Sequence, residues 1–184
     1  MGKLLFITGG VRCGKSSYAE RLAAELRTSN DVLIYLACGV NTDHEMKERI
    51  LKHRVDRQTS SENWTTIERP LDIEGIIDSI PSNSIVLLDC LTTLLTNEIF
   101  TAEKIYGSGV EERVFRAIYQ LMDKAKVLIV VSNELLHDIP SETGDILQFQ
   151  RTLGRLHRKM VEKSCTAVDM TVGIPVLKKK VHLT

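Results

Sequence analysis

The sequence predicts an α/β fold with a mostly parallel central sheet flanked by helices, built as a single domain over residues 1–184. Short apolar runs rich in β-branched residues recur along the chain, and segments with helically spaced apolar residues lie between them. A glycine-rich turn joins the first run to the first helical segment. Runs that are apolar throughout suit strands buried on both faces, and alternating strands and helices are how parallel neighbours connect.

The first strand is expected over Leu4–Thr8. Ala19, Leu22, Ala23 and Leu26 then recur at i, i+3, i+4 and i+7, which puts them on one face of a helix. Val32–Ala37 reads as the second strand, and Ile85–Leu88 and Val127–Ser132 as two more. Pro70 stands where a helix over Leu71–Ser79 would begin, since proline suits the first helical position. Leu91–Asn97 continues as a helix that serves core packing. Val110–Lys124 carries Val114, Ala117, Ile118 and Leu121 on one face, and Phe149–Val161 carries Leu153, Leu156 and Met160. Ala167–Val172 reads as the last strand. Gln58–Asn63 is polar and reads as a loop. Ser132–Gly144 follows a strand and is expected to be an active-site loop, because ligands of open α/β sheets gather outside the carboxyl ends of strands.

Composition bounds the function. Lys plus Arg number 24 and Asp plus Glu number 24, so the formal net charge is zero. That balance argues against a protein that neutralises many phosphates of a nucleic acid, but a small anion needs only a few donors. The longest apolar runs fall far short of the ~20 residues that span a bilayer, so no membrane insertion is expected. Cys13, Cys38, Cys90 and Cys165 are widely spaced, which suits reduced thiols in a cytoplasm and not a disulfide framework or zinc site.

Gly9, Gly10, Val11, Arg12, Cys13, Gly14, Lys15 and Ser16 match G-x-x-x-x-G-K-[ST] at every fixed position. Glycines let the backbone curl so that successive N–H groups face phosphate oxygens, and the following helix presents its N-terminus to the same anion. Lys15 would reach the β and γ phosphates, and the Ser16 hydroxyl would hold Mg²⁺. The expected fold is therefore P-loop NTPase-like. Ser84–Asp89 is an apolar strand ending in an acid, so Asp89 is a second candidate partner for Mg²⁺. These motifs leave the use of the nucleotide open, since kinases, ATPases and GTPases share them.

Asp43–Arg57 carries Met46, Ile50, His53 and Arg57 on one helical face, with Thr42 or Asp43 as N-cap. One interpretation is a surface helix with His53 partly buried. The other has Arg54 and Arg57 holding phosphates while His53 attacks one, since neutral imidazole is nucleophilic near neutral pH.

The loop Gly9–Ser16 is followed by Tyr35-Leu36-Ala37, Glu45-Met46, Arg49-Ile50-Leu51-Lys52-His53, Arg57 and Trp64-Thr65-Thr66-Ile67-Glu68. Next come Leu87-Leu88-Asp89-Cys90-Leu91-Thr92, Thr96-Asn97, Val131-Ser132-Asn133-Glu134 and Gly173-Ile174-Pro175. In this order the chain resembles the bifunctional adenosylcobinamide kinase / adenosylcobinamide-phosphate guanylyltransferase family of cobalamin biosynthesis. The resemblance implies phosphorylation of adenosylcobinamide, then transfer of GMP from GTP through a GMP–histidine intermediate to give adenosylcobinamide-GDP and pyrophosphate. It implies His53 as the histidine, with Lys15 the second catalytic residue. It carries nucleotide contacts onto Gly9–Ser16, Ala37, Cys38, Gly39, Arg54, Val55, Asp56, Arg57, Glu68 and Asp89. It further implies ATP and GTP as substrates, and a homotrimer. Asp89 stands where the family usually has Glu, and Leu156-His157-Arg158 where it usually has Val-Asn-Gln. A P-loop kinase without guanylyl transfer and a non-catalytic GTP-binding switch are the alternatives.

Overall fold

A computed structural model of the chain describes residues 2–39, 62–100, 109–135 and 144–181. The expected helix Asp43–Arg57, and with it His53, Arg54, Val55, Asp56 and Arg57, lies outside the described residues.

The strands are β1 (Lys3–Gly9), β2 (Val32–Ala37), β3 (Trp64–Glu68), β4 (Ser84–Asp89), β5 (Val127–Asn133), β6 (Thr166–Asp169) and β7 (Val176–Lys180). The helices are α1 (Lys15–Leu26), α2 (Leu91–Phe100), α3 (Val110–Lys124) and α4 (Gly144–Lys163). The strands form one sheet in the order β3-β2-β4-β5-β1-β6-β7. All neighbours are parallel except β6 and β7.

Period-2 alternation divides the core between the two faces of the sheet. Leu4, Phe6, Ile34, Leu36, Val86, Leu88, Leu128 and Val130 pack on one face with residues of α2, α3 and α4. Leu5, Ile7, Leu33, Ile85, Leu87, Ile129 and Val131 pack on the other with Ala19 and Ala23 of α1. Fully burying one such aliphatic side chain stabilises by about 1.5–3 kcal/mol, so this double-sided filling fixes the strand register. The apolar runs therefore form strands for the reason the sequence suggests.

Three elements differ from expectation. The segment after Pro70 is a 3-10 helix over Ile73–Ser79, not an α-helix from Leu71. Its N-cap Asp72 has φ 48°, a left-handed residue that delays the start, and only Ile73 and Ile77 are buried. Trp64–Glu68 forms edge strand β3, with no side chain fully buried. The last expected strand ends at Asp169, where Asp169 Oδ1 accepts from the Thr171 N–H (2.9 Å) and hydroxyl (2.6 Å) and turns the chain back into β7.

Candidate active site

The phosphate loop grows directly out of the fold. β1 ends at Gly9, where a Cβ would lie 2.6 Å from the Met170 carbonyl carbon, so only glycine allows the loop to pack on the chain leaving β6. Arg12 (φ 59°) and Gly14 (φ 86°) adopt the left-handed region, which curls the backbone into an anion-binding turn. α1 then begins with no side-chain cap and no acid in its first turn. Its leading N–H groups are thus left for a ligand, and its positive end favours an anion. Lys15 is buried, and its Nζ donates to the Gly10 carbonyl at 2.5 Å and lies 3.6 Å from Cys13 Sγ. The ammonium is therefore stowed inside the loop it serves. Ser16 follows at the start of α1, half-buried, and Val11 and Arg12 are exposed.

Asp89 closes β4. The Tyr35 hydroxyl donates to Asp89 Oδ2 at 2.6 Å, and the Cys38 N–H donates to the Asp89 carbonyl at 2.9 Å. Asn97 Nδ2 donates to the Cys38 carbonyl (2.9 Å) and the Pro70 carbonyl (3.0 Å), pinning the turn Ala37-Cys38-Gly39 to α2. Strand register aligns Glu68 with Ala37 and Ala37 with Asp89, so one row of the sheet carries both carboxylates. Burial pushes the Cys38 and Cys90 thiols up, with the nearby Asp89 charge adding to it, so both stay protonated. All four cysteines are free.

Between the loop strand β1 and the acid strand β4 lies β5. Asn133 pairs with Gly9, and the Glu134 N–H donates to the Gly9 carbonyl at 2.8 Å. Asn133 Nδ2 lies 4.0 Å from Cys90 Sγ. Thr92 of α2 accepts the Asn133 N–H at 2.8 Å and lies 2.9 Å from Ser132 Oγ, which in turn is 2.8 Å from His157 Nε2 of α4.

The structure thus gathers Gly9–Ser16, Ala37–Gly39, Glu68 and Asp89 at the carboxyl end of the parallel sheet. Tyr35, Thr92 and Asn133, which lie in segments that carry the resemblance, join them together with His157, and none of the four is marked as a site residue by its local pattern. Among the described residues no three His, Cys, Asp or Glu side chains converge to cage a metal. The hydroxyl of Ser16 and the carboxylate of Asp89 suit Mg²⁺, which is commonly held by one or two protein oxygens together with substrate phosphates.

Fold and site together define a P-loop nucleotide-binding protein. Solved structures of similar fold include an ATPase domain (TM-score 0.54, 14% identity, 91% of this chain and 68% of that one). The flagellar accessory protein FlaH from Methanocaldococcus jannaschii is another (TM-score 0.53, 14% identity, 97% and 79%). More narrowly, the chain belongs to the cobinamide kinase / cobinamide phosphate guanyltransferase family, whose model matches residues 5–177. It is 34% identical to the bifunctional adenosylcobalamin biosynthesis protein CobP of Pseudomonas aeruginosa, over 92% of this chain and 94% of the relative. It is 32% identical to the bifunctional adenosylcobalamin biosynthesis protein CobU of Escherichia coli, over 94% of this chain and 98% of the relative.

Proposed function

We propose that the chain phosphorylates adenosylcobinamide and then transfers GMP from GTP to the product, giving adenosylcobinamide-GDP and pyrophosphate. The observation that carries this reading is family membership over residues 5–177 around an intact phosphate loop. ATP and GTP are the proposed nucleotide substrates, and a single domain carries both reactions. Lys15 leaves the Gly10 carbonyl for the β and γ phosphates, and the α1 N–H groups and loop amides hold the remaining oxygens. Ala37–Gly39, Arg54, Val55, Asp56, Arg57 and Glu68 are the further proposed contacts to the nucleotide.

Mg²⁺, held by Ser16 and Asp89, would offset charge on the triphosphate. In the second reaction an imidazole nitrogen of His53 attacks the α-phosphorus. The bond to the bridging oxygen breaks, and pyrophosphate leaves with its electron pair. A phosphate oxygen of the cobinamide phosphate then displaces the imidazole from phosphorus.

A homotrimer is the proposed assembly. It is supported by the exposed apolar residues Val176 and Leu177 on edge strand β7, with Ile174 before it and Val181 after it. The four free cysteines support a cytoplasmic site of action. Among the described residues no helix is long and apolar enough to cross a membrane.

Incubation with Mg²⁺ and GTP labelled at the α-phosphorus tests the covalent step. Label should stay on denatured wild-type protein, leave in acid, and be absent from His53→Ala. Unlabelled wild type would sink the guanylyl transfer reading and leave a kinase.

A further inference from the structure

Ser132, His157 and Glu134 form an arrangement that superficially resembles a hydrolytic triad. Ser132 Oγ is 2.8 Å from His157 Nε2, and His157 Nδ1 is 4.0 Å from Glu134 Oε2. Ser132 is fully buried, so no substrate carbonyl can reach it and nucleophilic catalysis is excluded. The proton count points elsewhere. Thr92 Oγ1 accepts the Asn133 N–H, and its own proton can go to Ser132 Oγ (2.9 Å) or to the Asn133 carbonyl (3.4 Å). The Glu134 carboxylate beside His157 Nδ1 favours the order in which Ser132 donates to His157 Nε2. That order leaves the His157 proton on Nδ1, facing the Glu134 carboxylate; the reverse order would set a bare nitrogen lone pair against that carboxylate. The His157 ring is also held at its edge by Phe6, with centroids 5.3 Å apart.

This relay ends on the backbone of Asn133, at the tip of the strand that separates the phosphate loop from Asp89. A nucleotide on the loop, if its metal were held by Ser16 and Asp89 as proposed above, would bring its terminal phosphate over that tip. We propose that the Asn133 side-chain amide contacts the terminal phosphate of a bound nucleoside triphosphate, and that His157, through Ser132 and Thr92, is the positioning residue that holds it there. The proposal rests on the nucleotide-binding reading above, and not on the identity of the acceptor.

The test is calorimetric titration of GTP and of GDP, each with Mg²⁺, into the whole chain, with no cobinamide present. Asn133→Ala should weaken GTP by about tenfold, the worth of one hydrogen bond to a charged group, and leave GDP unchanged. His157→Leu and the near-isosteric Ser132→Ala should weaken GTP alone by a smaller factor. His157→Gln, which keeps an acceptor for Ser132, should restore it. Thermal melts identify any variant that fails to fold, and Ser132→Ala is the variant that stands if His157→Leu does not. Equal losses for GTP and GDP, or no loss in either, would overturn the proposal. Loss of cobinamide turnover in wild type would overturn only the function proposed above, because the two titrations do not depend on it.

Discussion

The Tyr35 hydroxyl donates to Asp89 Oδ2 at 2.6 Å, across the neighbouring strands β2 and β4. One carboxylate oxygen is thereby committed to the protein, and the proposed metal contact falls to the other. Tyr35 is otherwise a core residue, 5% exposed, with its ring set edge-on to Trp64. Orientation of the acid thus depends on the packing of the sheet itself.

Tyr35→Phe should keep the fold and lose the aim of Asp89. The expected cost in stability is about 1 kcal/mol, the net worth of one hydrogen bond. The Mg²⁺ concentration giving half-maximal kinase activity should rise several-fold. A metal titration at saturating nucleotide checks this, and an unchanged midpoint would show that Asp89 holds no metal.

Lys15→Met should remove phosphate binding while leaving the melting temperature close to that of the parent, because the methionine fills the buried channel of the lysine stem. Loss of charge-assisted hydrogen bonds worth about 1.5–3 kcal/mol predicts at least a tenfold fall in nucleotide affinity. Calorimetric titration with GTP measures it.

Burial depresses the His157 imidazole to about 4, against an ordinary 6.5. The unfolded chain therefore binds the proton first as pH falls. Stability from keeping His157 neutral is complete above about pH 6.5 and drains away as pH drops toward 4, by up to about 3 kcal/mol. Urea midpoints at pH 7 and pH 4.5 should differ more for the parent than for His157→Gln. Asp31 acts in a lower window. The hydrogen bond from Lys126 (2.6 Å) leads the causes that hold its carboxyl at about 2, so its contribution is lost only as pH falls from about 3.8 toward 2.

Leu177→Lys, placed on the exposed edge strand β7, should convert the proposed trimer to single chains. Light scattering coupled to size exclusion reads the mass directly. A parent that already runs as one chain would refute the homotrimer.

Legibility in the sequence follows the range of the interactions. The loop Gly9–Ser16 is legible because its chemistry is local: eight consecutive residues between a strand and a helix. Asp89 is legible because a strand-ending acid is a local sign too. β3 escapes because Trp64–Glu68 is a half-exposed edge strand whose pattern lacks a buried apolar run. β7 escapes because its three lysines and exposed face resemble a loop. The 3-10 helix reads as an α-helix, since Pro70 marks a helix start without naming its type. The Ser132–His157 and Tyr35–Asp89 pairs join residues 25 and 54 positions apart, and only the sheet order brings them together. No spacing rule within one element can show such a meeting.

The insertion of β5 between β1 and β4 also sets a length. Two steps of parallel sheet put the loop strand and the acid strand about 9–10 Å apart. A polyphosphate bound as proposed, with its metal at Asp89, would lie across that interval. The sheet would then work as a gauge: a ligand with too few phosphates would grip one jaw only, and one of full length would tie both jaws together. Rigidity at this end of the molecule would become something the substrate itself supplies.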